Sequence, residues 1–201
     1  PIDIKEFKKV NVVAVDLAGN KTEAKVPFYI KEFKEKVDNI KISDDFVNNI
    51  SKHVLENSDM NVPSSIVDIF IKTNKELREK NVKTIREVVK KNLVNDMKTS
   101  FDIKPFVRLP NAATFAQFGE RRHYFYGEEK IDEAWHLGMD WASVKRAEVQ
   151  VTNPGKVIFK DYLGIYGDTV IIDHGLGVWI LYAHTSSINV EVYDEVKAVQ
   201  H

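Results

Sequence analysis

Cysteine is absent from the 201-residue sequence, which excludes disulfide staples, thiolate metal ligands and a cysteine nucleophile. The absence leaves the compartment open. An excess of one charge is also missing, since 29 Lys and Arg stand against 30 Asp and Glu. Neither the basic surplus of a nucleic-acid binder nor the polybasic patch of a membrane-surface protein is present, so no nucleic-acid partner is expected. No apolar run approaches the ~18 to 20 residues of a membrane span, and residues 1–10 are too charged for the core of a signal peptide. Glycine is missing throughout 31–102 and returns only after it. What is present is 43% hydrophobic residues, enough for one ordinary domain or two to three small modules.

Pattern divides the chain into three parts: 1–31, 32–105 and 106–201. In the first, two alternating apolar runs flank Ala18-Gly19-Asn20, which predicts a β-hairpin. Two strands alone cannot bury a face in water. The hairpin resembles the last two strands of bacterial immunoglobulin-like modules, where a D-x-A-G-N turn is common, and this resemblance implies a chain that begins inside a domain.

The second part has helical periodicity. Ser43 is placed to cap a helix carrying Phe46, Val47, Ile50, Val54 and Leu55, and Pro63 to open another ahead of Ile66, Ile69 and Phe70. Thr84-Ile85-Arg86-Glu87 reads as a capping box opening a third, with Val88, Val89 and Leu93 as its stripe. The Lys83, Arg86, Lys90, Lys91 cluster lies among Glu76, Glu79 and Glu87 and reads as a solvated face. These helices either restrict access to a neighbouring groove or act as a plain spacer.

The third part is β-rich. The runs KVIFKDY, DTVIID, VWILYAH and INVEVY, separated by turn residues, predict four strands of an antiparallel sheet or barrel-like sandwich. The fold class expected is therefore α+β.

Ahead of these strands stands EAWHLGMDWAS, residues 133–143, with His136 and Asp140 around Gly138. A spacing of four puts both on one side of a helix or strand. In a straight strand they would stand about 13 Å apart, too far to share an ion with ~2 Å bonds. A bend at Gly138 brings them together. An imidazole and a carboxylate suit zinc, but a catalytic zinc needs three protein ligands and an open position.

From about residue 110 to 201 the chain resembles the lysostaphin-type zinc metallopeptidases that cut peptide cross-links of bacterial peptidoglycan. The resemblance is carried, in order, by FGERRHYFY (118–126), HLGMDWAS (136–143), NPGKVIF (153–159), YGDTVIIDHGLG (166–177) and LYAHTSSI (181–188). The R-R-x-Y stretch and the helices before it look most like the envelope-anchored Gram-negative branch. The resemblance implies a Zn2+ cofactor with His136 and Asp140 as its first two ligands. His184 would then be a catalytic histidine beside the metal, handling a proton or the oxyanion. Peptidoglycan peptide stems would be the substrate, and the location the cell envelope, periplasmic or membrane-anchored with this domain outside the cytoplasm. His174, His123, Arg121 and Arg122 are left outside the site.

The third ligand in such proteins comes from a downstream H-x-H pair that this sequence does not reach; His201 follows Val199-Gln200 and does not match it. Two expectations therefore remain open: an active zinc endopeptidase whose natural chain continues past His201, or a metal-free relative that binds cell wall or regulates another hydrolase.

Overall fold

The computed structural model describes residues 10–27, 34–93 and 103–198. Residues 28–30 of the predicted hairpin, and Val199 to His201, lie outside them. Strands β1 (Asn11–Val15) and β2 (Lys21–Lys25) pair antiparallel. Their turn is tied by the Asp16 carboxylate, which accepts from the amides of Ala18 and Asn20 at 2.9 Å each. Gly19 supplies the left-handed residue there, at φ +88°. Val12, Val13, Val15 and Leu17 are all exposed, so this hairpin buries neither face.

Strand β3 (Val37–Ile42) leads into helix α1. Ser43 caps α1 as expected, its hydroxyl accepting from the Phe46 amide at 3.2 Å. The helix runs through a π-helical stretch at Val47–Ser51 to Lys52–Glu56, and Val47 and Leu55 are fully buried. Helix α2 spans 66–92, with Ile66–Lys72, a π-helical stretch at Thr73–Leu77, and Arg78–Asn92.

Two sequence expectations change here. The cap of α2 is Ser65, whose hydroxyl receives the Asp68 amide, so Pro63 stands before the helix rather than in its first turn. Thr84 opens nothing: no breaker precedes it, the helix is already running, and its hydroxyl donates back to the Lys80 carbonyl at 3.1 Å.

The β-rich part begins with β4 (Ala113–Ala116), β5 (Glu120–Tyr126), β6 (Glu129–His136) and β7 (Asp140–Ala142). It continues with β8 (Gly155–Tyr162), β9 (Asp168–Asp173), β10 (Trp179–Tyr182) and β11 (Glu195–Val196). One sheet runs β10-β9-β8-β11, antiparallel throughout. A second has the order β3-β5-β6, in which β5 and β6 are antiparallel and β3 lies parallel to β5. Strands β4 and β7 form a two-stranded pair. The fold is α+β with a β-rich C-terminal region, as the sequence predicts.

The predicted strand INVEVY is the exception. Ile188 and Val190 do turn inward, against Val157, Val170, Ile172 and Val196, but residues 188–192 form no strand, and only Tyr193 reaches β8, its amide donating to the Val157 carbonyl at 2.8 Å. The alternation reports burial. Tyr193 turns back at φ +78°, and the ladder resumes only at β11.

Helices cover both large sheets. Val47, Leu55, Ile69, Phe70 and Leu77 pack with Ile42 of β3 and Tyr124 of β5. Ile85 packs with Ile158, Leu163 and Ile171. Because Val170 and Ile172 face the opposite side, β9 is buried on both faces, which explains its unbroken apolar run.

Candidate metal centre

Strand β6 leaves its sheet at His136, the chain bends at residue 138, and Asp140 begins β7 against β4. This change of partner folds the HLGMD segment. His136 is opposite Glu120 in the β5–β6 register, and Asp140 is opposite Ala116. The turn at 117–119 therefore spans the same gap from the other side. Gly119 donates its amide to the His136 carbonyl at 2.7 Å.

The result brings His136 Nε2 to 3.0 Å from Asp140 Oδ1. Two atoms each ~2.0 to 2.1 Å from one tetrahedral zinc would stand about 3.3 Å apart. The imidazole Nδ1 lies 3.0 Å from the Gln117 carbonyl oxygen. A carbonyl only accepts, so Nδ1 carries the proton and the neutral ring's lone pair sits on Nε2. That lone pair faces a carboxylate oxygen. Such a contact repels unless a positive species lies between them, either a proton on Nε2 or a bound cation. The arrangement is also the one in which metal-binding imidazoles are held by a carbonyl behind them.

The second carboxylate oxygen of Asp140 receives Arg122 Nη2 at 3.1 Å. The two oxygens thus have separate tasks, one toward His136 and one toward a guanidinium. Behind Gln117 stands Glu120, whose side chain is only 3% exposed. It accepts from the Gln117 amide at 3.0 Å and from Lys36 Nζ at 2.6 Å. The Lys36 ammonium, above all, holds the Glu120 carboxyl below the ordinary range, against the opposing effect of burial.

A charge cluster lies beside the site on β5 and β6. Glu133 accepts from Lys130 at 2.6 Å and Arg121 at 3.1 Å, and these bonds lower its pKa to about 2. Arg121 also pairs with Glu35 and lies over the Trp135 ring. Glu128, at the end of the same hairpin, meets Lys41.

Of the three site residues expected, His136 and Asp140 are together. His184 lies in the bend after β10, exposed, at φ +57°, its amide donated to the Tyr166 carbonyl at 2.9 Å. Among the described residues no hydrogen bond or ion pair joins it to His136 or Asp140. His174 bonds the Pro154 carbonyl through Nδ1 at 2.8 Å and tilts against Phe106, a structural role. Arg122, left out by the sequence reading, belongs beside Asp140. The signal was weak: its place follows from the β5–β6 register, which a doublet of arginines does not encode.

His136 and Asp140 fit a metal as two donors with supported geometry. Among the described residues no group of three His, Cys, Asp or Glu side chains converges, so a third donor is not identified there.

Residues 134–201 match the profile of Peptidase family M23. Over 94 residues the chain is 34% identical to the DD-carboxypeptidase/endopeptidase Mpg of Neisseria meningitidis serogroup B, a stretch covering 46% of this chain and 20% of that protein. The protein of the same name from Neisseria gonorrhoeae matches equally. The murein hydrolase activator EnvC of Escherichia coli is 36% identical over 75 residues, 37% of this chain and 18% of EnvC. The matched stretch spans about a fifth of the length of these curated relatives.

Proposed function

Residues 134–201 belong to Peptidase family M23, and from that premise we propose that the protein is a zinc metallo-endopeptidase hydrolysing peptide cross-links of bacterial peptidoglycan in the cell envelope. The observation that supports this most is the His136–Asp140 pair, in which a ring fixed through Nδ1 offers Nε2 to a space shared with a carboxylate oxygen 3.0 Å away. A relative named endopeptidase supports the reaction class. In this reading His136 Nε2 and Asp140 Oδ1 hold zinc. Bound there, zinc would polarise the scissile carbonyl and acidify a water.

The chain's own residues prepare that site. The Gln117 carbonyl fixes the His136 ring, and Arg122 holds the Asp140 carboxylate so that Oδ1 is left for the site. His184, exposed and without a side-chain hydrogen bond among the described residues, would exchange a proton with the substrate or donate to the developing oxyanion. Exposed Leu137 and Met139 lie between the pair in sequence, Trp141 follows it and Phe118 stands in the facing 117–119 turn, and together they offer apolar surface to a bound peptide.

The match to an activator supports a second reading, a metal-free domain that binds cell wall or regulates another hydrolase. One experiment on the product of the complete reading frame separates the two: zinc analysis beside digestion of purified cross-linked muropeptides. The enzyme reading expects about one zinc and cleavage in the wild type, with both lost in His136→Ala. In His184→Ala zinc stays and cleavage falls ~100- to 10,000-fold. A wild type without zinc or cleavage establishes the regulatory reading instead.

A further inference from the structure

Three consecutive amides of the 117–119 turn each find an acceptor, and the acceptors are unequal. Gln117 donates to the Glu120 carboxylate at 3.0 Å, Phe118 to the Met139 sulfur at 3.4 Å, and Gly119 to the His136 carbonyl at 2.7 Å. A thioether is the weak member of that set, and it is also the one that an oxidant attacks. The sequence has three methionines and no cysteine, so no thiol competes with them. Met60 is half-buried against the core under the helices and Met97 lies outside the described residues, whereas Met139 is 49% exposed. Its position is also a sensitive one, between the bend at residue 138 and Asp140, where β7 begins. The Met139 sulfur is thus a third tie between the turn and residues 136–140, beside the Gln117 carbonyl at the His136 ring and the Gly119 amide at the His136 carbonyl.

We propose that Met139 is an oxidation site through which peroxides or hypohalous acids loosen the metal centre. Hydrogen peroxide transfers one oxygen to the sulfur: an S–O bond forms, the O–O bond breaks, the thioether is oxidised to the sulfoxide and the peroxide is reduced to water. The product does not fit the present geometry. With the sulfur 3.4 Å from the Phe118 nitrogen, an oxygen bonded to it along that line stands well inside the ~2.9 Å of an N–H···O bond. The sulfoxide oxygen, a stronger acceptor than the thioether, keeps the amide, and the turn and residue 139 move apart to make room for it. Asp140 moves with the residue before it, so its carboxylate and the His136 ring lose their shared alignment. The consequence for the metal rests on the reading of His136 and Asp140 as zinc donors; the oxidation and the displaced turn do not.

The test treats the product of the complete reading frame with dilute hydrogen peroxide, in a Met97→Leu background that leaves Met60 and Met139 as the methionines of residues 1–201. Peptide mass mapping is expected to find the sulfoxide on Met139 before Met60. At full conversion of Met139, the Phe118 and Gly119 amide signals are expected to shift in the 1H–15N spectrum, while those of buried Val157 and Ile171 stay. Met139→Leu, close in volume and without sulfur, is expected to show no peroxide-induced shift. Calorimetric zinc titration of the same samples is expected to give ~10-fold weaker binding after oxidation, and the same affinity before and after peroxide in Met139→Leu. Faster oxidation of Met60, amide signals that stay in place on oxidised Met139, or a general loss of dispersion overturns the proposal. Displaced amides with undiminished zinc affinity overturn it as a control on the metal centre. If the untreated protein binds no zinc, the zinc reading fails and the control on a metal with it, while the mass map and the amide shifts still decide whether oxidation of Met139 displaces the turn.

Discussion

At the scale of the residue, the candidate site is a set of assignments of single atoms. Asp140 divides its oxygens between His136 and Arg122, and a guanidinium bound to one oxygen limits rotation of the carboxylate. Arg122→Met is therefore expected to weaken zinc binding by ~10- to 100-fold, the usual loss on removing a partner behind a ligand. Calorimetric titration with zinc on the product of the complete reading frame measures it, and undiminished affinity would remove Arg122 from the site. The neighbouring carboxylate gives a pH prediction. Glu133 is held at about 2 by Lys130 and Arg121, against an ordinary 4.5. Its folded value is depressed, so the stabilisation from this cluster is present above 4.5 and lost as pH falls toward 2. Carbon-13 titration of the side-chain carboxyl should give a midpoint near 2; one near 4.5 would show that the cluster does not persist in solution. His136 and Asp140 were legible because their spacing and the glycine between them are local. Arg122 and Glu120 were not, because they reach the site through cross-strand register and a turn.

At the scale of the element, two patterns in the sequence were ambiguous and packing resolved them. Thr84-Ile85-Arg86-Glu87 has the spacing of a capping box, yet the helix passes through it because Asn81 and Ile85 are buried on either side of Thr84. Asn81 also holds the turn after β8: its side-chain oxygen accepts from the Ile165 amide at 3.1 Å, and a methyl group on Gly164, at φ +49°, would come within 2.5 Å of that oxygen. The two readings of Thr84 separate cleanly. Proline is tolerated at the start of a helix but costs ~3 kcal/mol in its interior. Thr84→Pro is accordingly expected to lower the thermal midpoint by about 10 °C, followed by circular dichroism, whereas a helix capped by Thr84 would lose only the cap, about 1 kcal/mol, and show a correspondingly smaller shift. Strands β8, β9 and β10 were read correctly because apolar runs between glycines and prolines are local signals. INVEVY carried the same alternation but meets β8 only at its last residue, Tyr193, since a side chain can be buried without its backbone entering a ladder.

At the scale of the whole molecule, the largest feature hidden from the sequence is the placement of β3. VDNIKI is too short and polar to announce itself, and parallel pairing with a strand about eighty residues later leaves no local trace. Yet the pairing decides how the helices relate to the site. Composition divides the chain near residue 105, while the contacts run across that line. Tyr124 of β5 packs with Ile42, Phe70 and Leu77; buried Asp132 of β6 accepts from Asn74 at 2.6 Å and Lys75 at 3.1 Å; Ile85 lies on the β8–β9 sheet. Had the helices been a cover over a groove, their removal would open the site and raise turnover. Seen in these contacts, they are one wall of both cores. Deleting residues 34–93 would strip a strand from the β3-β5-β6 sheet, uncover Tyr124 and Ile171, and leave Asp132 and Glu120 without the side chains that neutralise them. The expected outcome is a remainder with no cooperative thermal transition and collapsed amide dispersion in its 1H–15N spectrum. A folded remainder with native dispersion and faster muropeptide cleavage would restore the gate reading, because only a separable cover can be removed without cost to the sheet beneath it.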